Sequence, residues 1–293
     1  MQTFPETTEL NTSKETHIEG QVSKNQASAA QNFLAEAQPS PETLSYEWFS
    51  AWFSSPIYLK LYEHRNFKEA EETVEMILRR TGLKETQPKP KVLDIACGAG
   101  RHAVAFAERG CDVVASDLSS FMLQEAKRVA EKHSVRLTFL QQDMRALTAE
   151  EEYDLVVQLF TSFGYFDNSE DDRRVVQNVR RALRQGGIYV LDFFNAEKVR
   201  QSYKPLTQRV VDGMLICEER KIVGDRIKKT VTVSENGNLK RFTESVRLYT
   251  ATELAEMLTQ AGFKVREILG NYDGSPFDAA QSPRAILFAE KVK

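Results

Sequence analysis

Residues 92 to 103 read Val-Leu-Asp-Ile-Ala-Cys-Gly-Ala-Gly-Arg-His-Ala, and this stretch decides the fold. Val92, Leu93 and Ile95 make an apolar run around a single acid, the pattern of a strand covered on both faces. Gly98 and Gly100 follow, where a backbone without side chains can approach a ligand. Ala103, Val104 and Phe106 then open a helix. A buried strand that passes through a glycine loop into a helix is the geometry of a nucleotide-cofactor site at the carboxyl end of a parallel sheet.

Working outward, strands and helices alternate. Apolar positions predict helices over 46–81, and Gln87-Pro88-Lys89-Pro90 breaks the pattern before the first strand. A helix over 101–109, a strand over 112–116, a helix capped by Ser119 and a strand over 136–141 come next. After the apolar run 155–160, a helix over 171–183 is expected to stop at Gly186-Gly187, ahead of a strand over 188–193. This alternation calls for an α/β fold with a doubly wound, mostly parallel sheet. Between about 205 and 249 the chain turns β-rich, with strands expected over 210–221, 226–234 and 239–248 and turns at Gly224-Asp225 and Asn236-Gly237. These predict an antiparallel β insertion laid over one edge of the main sheet. A helix over 252–261 precedes strands over 265–270 and 285–289, whose connection is too short for a crossover helix, so that last pair is antiparallel.

The 293 residues suffice for one large domain over 41–293, and 41% hydrophobic residues is ordinary for a globular chain. A formal net charge of −3 gives no electrostatic reason to expect nucleic acid or an anionic membrane as partner. Cys97, Cys111 and Cys217 show no CxxC spacing, so neither a disulfide framework nor a zinc site is indicated, and no metal is expected. No run of 18 apolar residues or signal-peptide pattern occurs, which fits a cytoplasmic monomer or homodimer. Residues 1–40 are polar and poor in large apolar side chains and read as a disordered tail.

The glycine loop alone does not name a cofactor, because Gly98-Ala-Gly-Arg-His-Ala103 also satisfies the dinucleotide pattern GxGxxA. Three acids decide. Asp117, at the end of the second strand, can accept both hydroxyl protons of an adenosine ribose. Asp143 follows the third strand, where its carboxylate can accept from an exocyclic amine beside the Met144 N–H, the chemistry of adenine. Asp94 sits in the strand-to-loop corner, where it would repel a pyrophosphate and suit a cationic ammonium or sulfonium. An NAD(P)-dependent oxidoreductase is therefore the second reading, and a non-catalytic cofactor-binding module a third.

With these residues in place, the chain resembles the class I S-adenosylmethionine-dependent methyltransferases, in the subgroup whose first motif reads D-x-x-C-G-x-G. Asp94 to Gly100 resembles that motif, Asp117 the second-strand acid, Gln142-Asp143-Met144 the adenine motif and Tyr153 to Val157 the fourth strand. The first position of the family's longer glycine pattern is Ala96 here. The resemblance implies a seven-stranded sheet of order 3-2-1-4-5-7-6 with the last strand antiparallel. It also implies S-adenosylmethionine as cofactor, held by Asp94, Ala96, Cys97, Gly98, Gly100, Asp117, Leu118, Asp143, Met144 and Leu159. Cys97 serves there as a small polarizable wall rather than a nucleophile.

Methyl transfer from a sulfonium is an in-line displacement, so catalysis rests on positioning, with a base where the acceptor keeps a proton. The loop after the fourth strand, residues 159–166, is expected to face the acceptor, for which the resemblance implies a small molecule that takes the methyl on oxygen or nitrogen more often than on carbon. Thr161, Ser162 and Tyr165 are the candidate catalytic residues, while Phe160, Phe163 and Phe166 read equally well as core. Tyr58, Tyr62 and Arg65 share a helical face at i, i+4, i+7 and are expected to close over the methionine carboxylate; the resemblance implies that the N-terminal helical segment 46–85 acts as a lid. His102 reads as structural. Lys228-Lys229 and the group Arg180, Arg181 and Arg184 read as solvated surface, and the loop 271–277 as either a pocket wall or an ordinary hairpin.

Overall fold

The computed structural model describes residues 47–62, 67–235 and 238–293; the expected tail, Arg65 and the Asn236-Gly237 turn lie outside them. Helices α1 (Trp48–Phe53), α2 (Pro56–Leu61) and α3 (Phe67–Thr81) precede β1 (Lys91–Ile95), α4 (Arg101–Glu108) and β2 (Asp112–Asp117). Then come α5 (Ser120–Lys132), β3 (Thr138–Gln141), a 3-10 turn at Met144–Ala146, β4 (Tyr153–Gln158) and α6 (Ser169–Ala182). After β5 (Leu183–Phe194) and α7 (Ala196–Ser202) come β6 (Leu206–Val211), β7 (Met214–Val223), β8 (Arg226–Glu235) and β9 (Asn238–Arg247). The chain closes with α8 (Ala251–Gln260), β10 (Phe263–Leu269) and β11 (Arg284–Lys291).

Strand β1 lies inside a seven-stranded sheet of order β3-β2-β1-β4-β5-β11-β10. Counted within that sheet, this is the expected 3-2-1-4-5-7-6, and β11 runs antiparallel to both its neighbours. Adjacent residues of β1 serve opposite faces, as strand pleating requires. Leu93 packs in a cluster with Val175, Val176 and Val179 of α6 and Leu254 of α8. Val92 packs in the other, with Val74 and Ile77 of α3 and Ala103 and Phe106 of α4. A sheet covered on both faces leaves its strand ends as the place for a site.

Gly186-Gly187 does not stop a helix. Helix α6 ends at Ala182, Leu183 is already extended (φ −76°, ψ 142°), and both glycines lie inside β5. A Cβ on Gly187 would meet the carbonyl oxygens of Arg184 at 2.9 Å, in β5 itself, and of Tyr153 in β4 at 3.2 Å, so this close backbone packing requires glycine. The arginines read as surface are engaged: Arg180 donates to the carbonyls of Gly262 and Val292, and Arg181 to that of Leu147. Arg184, half exposed, pairs with Asp154.

The β insertion has four strands, because Asp212-Gly213, with φ +49° and +78°, turns the chain between β6 and β7 within the expected single strand. It forms a separate antiparallel sheet, β6-β7-β8-β9, that among the described residues shares no strand pairing with the main one. Its apolar face, Met214, Ile216, Val231 and Val233, packs on Trp52, Ile57 and Leu61 of α1 and α2. Its bond to the rest of the domain runs through Arg226, a buried side chain. That guanidinium donates to the carbonyls of Gly164 (3.2 Å), Tyr165 (2.9 Å) and Phe166 (2.9 Å) and to Ser245 Oγ and carbonyl (2.8 and 2.7 Å). The Arg247 N–H adds a bond to the Gly164 carbonyl at 2.8 Å. The insertion is thus fastened to the loop that follows β4. Among the described residues no helix is long and apolar enough to cross a membrane.

Replacing Arg226 by Ala strips charged donors from several buried carbonyls, each worth about 1.5–3 kcal/mol. Chemical denaturation of Arg226→Ala is expected to give a loss of about 3 kcal/mol, with proteolysis of the 160–167 loop accelerated; a loss below about 1 kcal/mol would contradict the anchoring role.

Candidate functional site

The carboxyl ends of β1 to β4 surround a cavity of about 820 Å³. Residues 94–99, 117–119, 142–144 and 159–160 form its floor, α5 its flank through Met122, and Phe49, Phe53, Tyr58 and Tyr62 of the N-terminal helices its cover. Ser162, Tyr165 and Phe166 supply the wall below the insertion. Of the expected site residues, Tyr58, Tyr62, Asp94, Ala96, Cys97, Gly98, Asp117, Leu118, Asp143, Met144, Leu159, Ser162 and Tyr165 all line it.

Two expected residues do not, and each has a physical reason. Gly100, φ +80°, is the left-handed N-cap of α4, and a Cβ there would overlap Ala126 Cβ at 2.7 Å. Its missing side chain admits helix α5, not a ligand. A Cβ on Gly98, by contrast, would meet nothing within 4 Å, because the cavity begins there. Thr161 is the second. Phe160 and Thr161 both adopt left-handed backbone (φ +59° and +64°), which turns the threonine toward β5 and β11. There its Oγ1 accepts from the Phe194 N–H at 3.2 Å and from Arg284 at 3.1 Å. A β-branched residue in this conformation is strained by about 1–3 kcal/mol and persists only when its surroundings hold it. Asp192 does so: it accepts from the Phe160 N–H through its carboxylate (2.8 Å) and from the Thr161 N–H through its carbonyl (3.0 Å). The same carboxylate binds Arg284 and the Tyr272 hydroxyl. Tyr272 stacks behind Phe160, so the 271–277 loop braces the pocket from outside.

Asp117 ties the floor together. Its Oδ2 accepts from the Gly98 N–H at 2.9 Å and its Oδ1 from the Ser119 N–H at 2.8 Å. Burial pushes this carboxyl above its ordinary range against those backbone donors. The Leu118 N–H also faces this carboxylate, whose two oxygens together offer about four acceptor positions. Asp143 is more heavily used. Arg145 holds it through its backbone N–H, Nε and Nη2, and that guanidinium outweighs burial and keeps the carboxyl below its usual range.

Asp94 is 2% exposed, and its Oδ2 has no hydrogen-bond partner. Burial, reinforced by the negative charge of Asp117, pushes its carboxyl up to about 8, against the Ala103 N–H and Arg101. An unpartnered buried carboxylate in a cavity wall is costly unless a ligand supplies the missing donor. Ser162 Oγ donates to the Leu159 carbonyl (2.8 Å), and the buried Tyr165 phenol is raised well above its ordinary range by burial, Tyr58 and Glu244.

Several lining residues escaped the sequence reading. Phe49 and Phe53 sit one helical turn apart on α1, a spacing visible in Trp48-Phe49-Ser50-Ala51-Trp52-Phe53. His102, buried in α4, lines the wall. Lys229 is not solvated surface. Its side chain is 13% exposed and pairs with Glu244 at 2.7 Å beneath Tyr62, because the inner face of β8 and β9 is covered by α1 and α2.

Comparison with known proteins agrees with this geometry. Residues 92–187 match the family model described as a methyltransferase domain. The putative methyltransferase YqeM of Bacillus subtilis (strain 168) is 28% identical over 246 residues, spanning 81% of this chain and 95% of its own. The dTDP-4-amino-2,3,4,6-tetradeoxy-D-glucose N,N-dimethyltransferase of Saccharopolyspora spinosa is 28% identical over 216 residues, 70% of this chain and 82% of its own. A solved S-adenosylmethionine-dependent methyltransferase from Clostridium acetobutylicum ATCC 824 superposes with a TM-score of 0.69 at 18% identity, covering 81% and 97% of the two chains. The fold is that of the class I S-adenosylmethionine-dependent methyltransferases, and residues 92–187 are similar to a methyltransferase domain.

The two glycines are separable by denaturation. Gly98→Ala adds only the left-handed backbone cost of about 1 kcal/mol, whereas Gly100→Ala adds overpacking against Ala126 for about 3 kcal/mol in all; equal losses would contradict the division. Asp94 gives a pH signature. A folded value near 8 against an unfolded one near 3.8 means the folded state holds its proton more tightly, so stability is greatest below about pH 4 and falls until about pH 8. Thermal melts of ligand-free Asp94→Asn are expected to exceed wild type at pH 8 and match it near pH 4; equal melting at pH 8 would refute the burial cost.

Proposed function

We propose that this methyltransferase moves a methyl group from S-adenosylmethionine to a small-molecule acceptor, on nitrogen or oxygen, with nitrogen favoured. The observation that carries the reading is Asp94, a buried carboxylate with an open oxygen in the cavity wall, beside a glycine loop whose Gly98 leaves room for a ligand. A pyrophosphate there would face two acids, Asp94 and Asp117, and could be accommodated only by holding them protonated, which weighs against the dinucleotide alternative.

The residues fit the cofactor group by group. Asp94 suits the methionine ammonium and the sulfonium. The Asp117 carboxylate, at the end of β2, is placed to accept from the ribose hydroxyls. Asp143, with most of its acceptor positions taken by Arg145, keeps room for one amine hydrogen bond from adenine, between Leu118, Met144 and Leu159. Ala96 and Cys97 line the methionine arm, and Tyr58 and Tyr62 close it from above as part of a helical lid. When bound, the sulfonium supplies an activated methyl group, and the protein contributes placement.

Nitrogen is favoured on chemistry. Phe53 packs within 5.0 Å of Tyr58 and 5.7 Å of Tyr165, giving the acceptor end an aromatic wall. Rings of this kind attract a cation. An amine becomes cationic as it accepts a methyl group, whereas a hydroxyl ends neutral. The N,N-dimethyltransferase likeness points the same way.

Titration calorimetry tests the cofactor. S-adenosylmethionine is expected to bind and NADH not to. Because a cationic ligand favours ionised Asp94, binding between pH 6 and 7.5 is expected to release a proton and to tighten as pH rises toward 8. Asp94→Asn removes that pH slope, and Asp117→Ala is expected to weaken binding at least about tenfold by removing two hydrogen bonds to the ligand. Absence of S-adenosylmethionine binding would overturn the reading.

A further inference from the structure

Among the described residues the two sheets end on four strands, β3 and β10 in the main sheet and β6 and β9 in the insertion. A sheet edge is a template for pairing with another chain, and proteins blunt it by shortness, bulges or charge. Strand β3 has only four residues, and β10 is bulged between Val265 and Glu267 and carries Lys264 and Arg266. Strand β9 carries Lys240, Arg241, Glu244 and Arg247. Strand β6 has none of these protections. Its one charge, Arg209, is held by Glu218 of its own chain, and its Leu206 and Val210 are 49% and 67% exposed. The exposed large apolar side chains of the described residues are Leu206, Val210, Leu215, Val223 and Leu239, and all belong to the insertion. Val210, Leu215 and Leu239 stand in one row across its outer face, with Ser234 between the two leucines. Such a patch marks an interaction surface.

The backbone says what this edge can bind. The Arg220 N–H donates to the Pro205 carbonyl at 2.7 Å, so the Pro205 backbone faces β7. Antiparallel pairs alternate between those that exchange hydrogen bonds and those that do not. Thr207, Arg209 and Val211 therefore bond to β7, while the N–H and carbonyl groups of Leu206, Gln208 and Val210 point away from it. We infer that β6 pairs antiparallel with β6 of a second copy of this chain, about a two-fold axis at Gln208. In that register Gln208 faces the partner's Gln208 and Leu206 faces the partner's Val210, so every outward backbone group of the three residues is paired. Apolar side chains meet at both ends, and the two glutamine amides between them complement each other. A two-fold axis at Arg209 would instead set like charges opposite one another.

Charge completes the match. One step past the paired residues, the same register sets Lys204 against the partner's Asp212 and, by symmetry, Asp212 against the partner's Lys204. Both side chains are exposed, and neither residue lies within a strand. Pro205 does not interrupt the new ladder, because its backbone faces β7. The edge is thus its own complement, and a two-fold contact of this kind closes on itself as a dimer. Asp212 also lines the cavity, so the partner's Lys204 comes to rest beside a turn at the rim of the site.

Sedimentation velocity of the full chain over a range of concentrations tests the pairing. A reversible dimer is expected, and a chain that stays monomeric throughout overturns the proposal. Gln208→Pro removes the outward N–H at the axis and spares the bonds to β7, and is expected to weaken the dimer at least about tenfold. Lys204→Asp lies outside the strand, so folding does not depend on it, and is expected to weaken the dimer about fivefold by opposing the partner's Asp212. A dimer unmoved by both variants, each with a wild-type thermal melt, overturns the β6 contact. Register is read by cross-linking. Hydrogen-bonded antiparallel pairs bring Cα atoms to about 5.5 Å, within disulfide reach. With Cys97, Cys111 and Cys217 buried, Leu206→Cys/Val210→Cys is expected to form a disulfide-linked dimer on mild oxidation, while neither single variant does. A cross-linked dimer from either single variant overturns the axis at Gln208.

Discussion

The carboxylate of Asp117 is the constraint on which the site depends. It spans from the end of β2 to the Gly98 N–H of the β1 loop and to the Ser119 N–H that begins α5. Two loops that would otherwise move independently are thereby fixed to one rigid strand end. That strand is rigid in turn because β1 and β2 are buried in parallel register, Val92 beside Val113 and Leu93 beside Val114. The placement of Asp94, Cys97 and Gly98 follows from this brace, and so does the width of the cavity between them.

The central part of the molecule was legible in the sequence for a simple reason. Strands buried on both faces read as apolar runs, and the residues just past them, Asp117 and Asp143, are forced to the site whatever the packing elsewhere. What escaped was decided by tertiary context. Thr161 is displaced by a left-handed backbone that no local pattern announces. Lys229 looks like one half of a solvated pair until α1 and α2 cover one face of the insertion. Gly186 and Gly187 carry the letters of a helix stop, yet both lie within β5, Gly186 in left-handed backbone and Gly187 pressed against the Arg184 and Tyr153 carbonyls. Gly100 was assigned to the ligand when its neighbour is Ala126.

The insertion is fastened by polar bonds at one end and by apolar packing at the other. Arg226 reaches the carbonyls of the 164–166 loop, while Met214, Ile216, Val231 and Val233 hold Trp52 and Leu61. The end of the cavity lined by Ser162, Tyr165 and Phe166 therefore sits between two attachments of one sheet. Strain at Phe160 and Thr161 is contained separately, by Asp192, Arg284 and Tyr272 on the far side of the loop. The wall facing the ligand is held from both sides without using its own cavity-facing groups.

Cys97 shows what such a wall has to avoid. A methyl sulfonium alkylates any good nucleophile placed near it, and a thiolate is among the best that a protein carries. The thiol of Cys97 lines this cavity, yet burial and the neighbouring charges of Asp94 and Asp117 push its ionisation well above the ordinary range, and its hydrogen is directed to the Gly98 carbonyl at 3.5 Å. The acids that suit a cationic donor also keep this sulfur protonated. The floor can therefore be soft and close-fitting without becoming the acceptor, and the protein is spared methylation by its own cofactor.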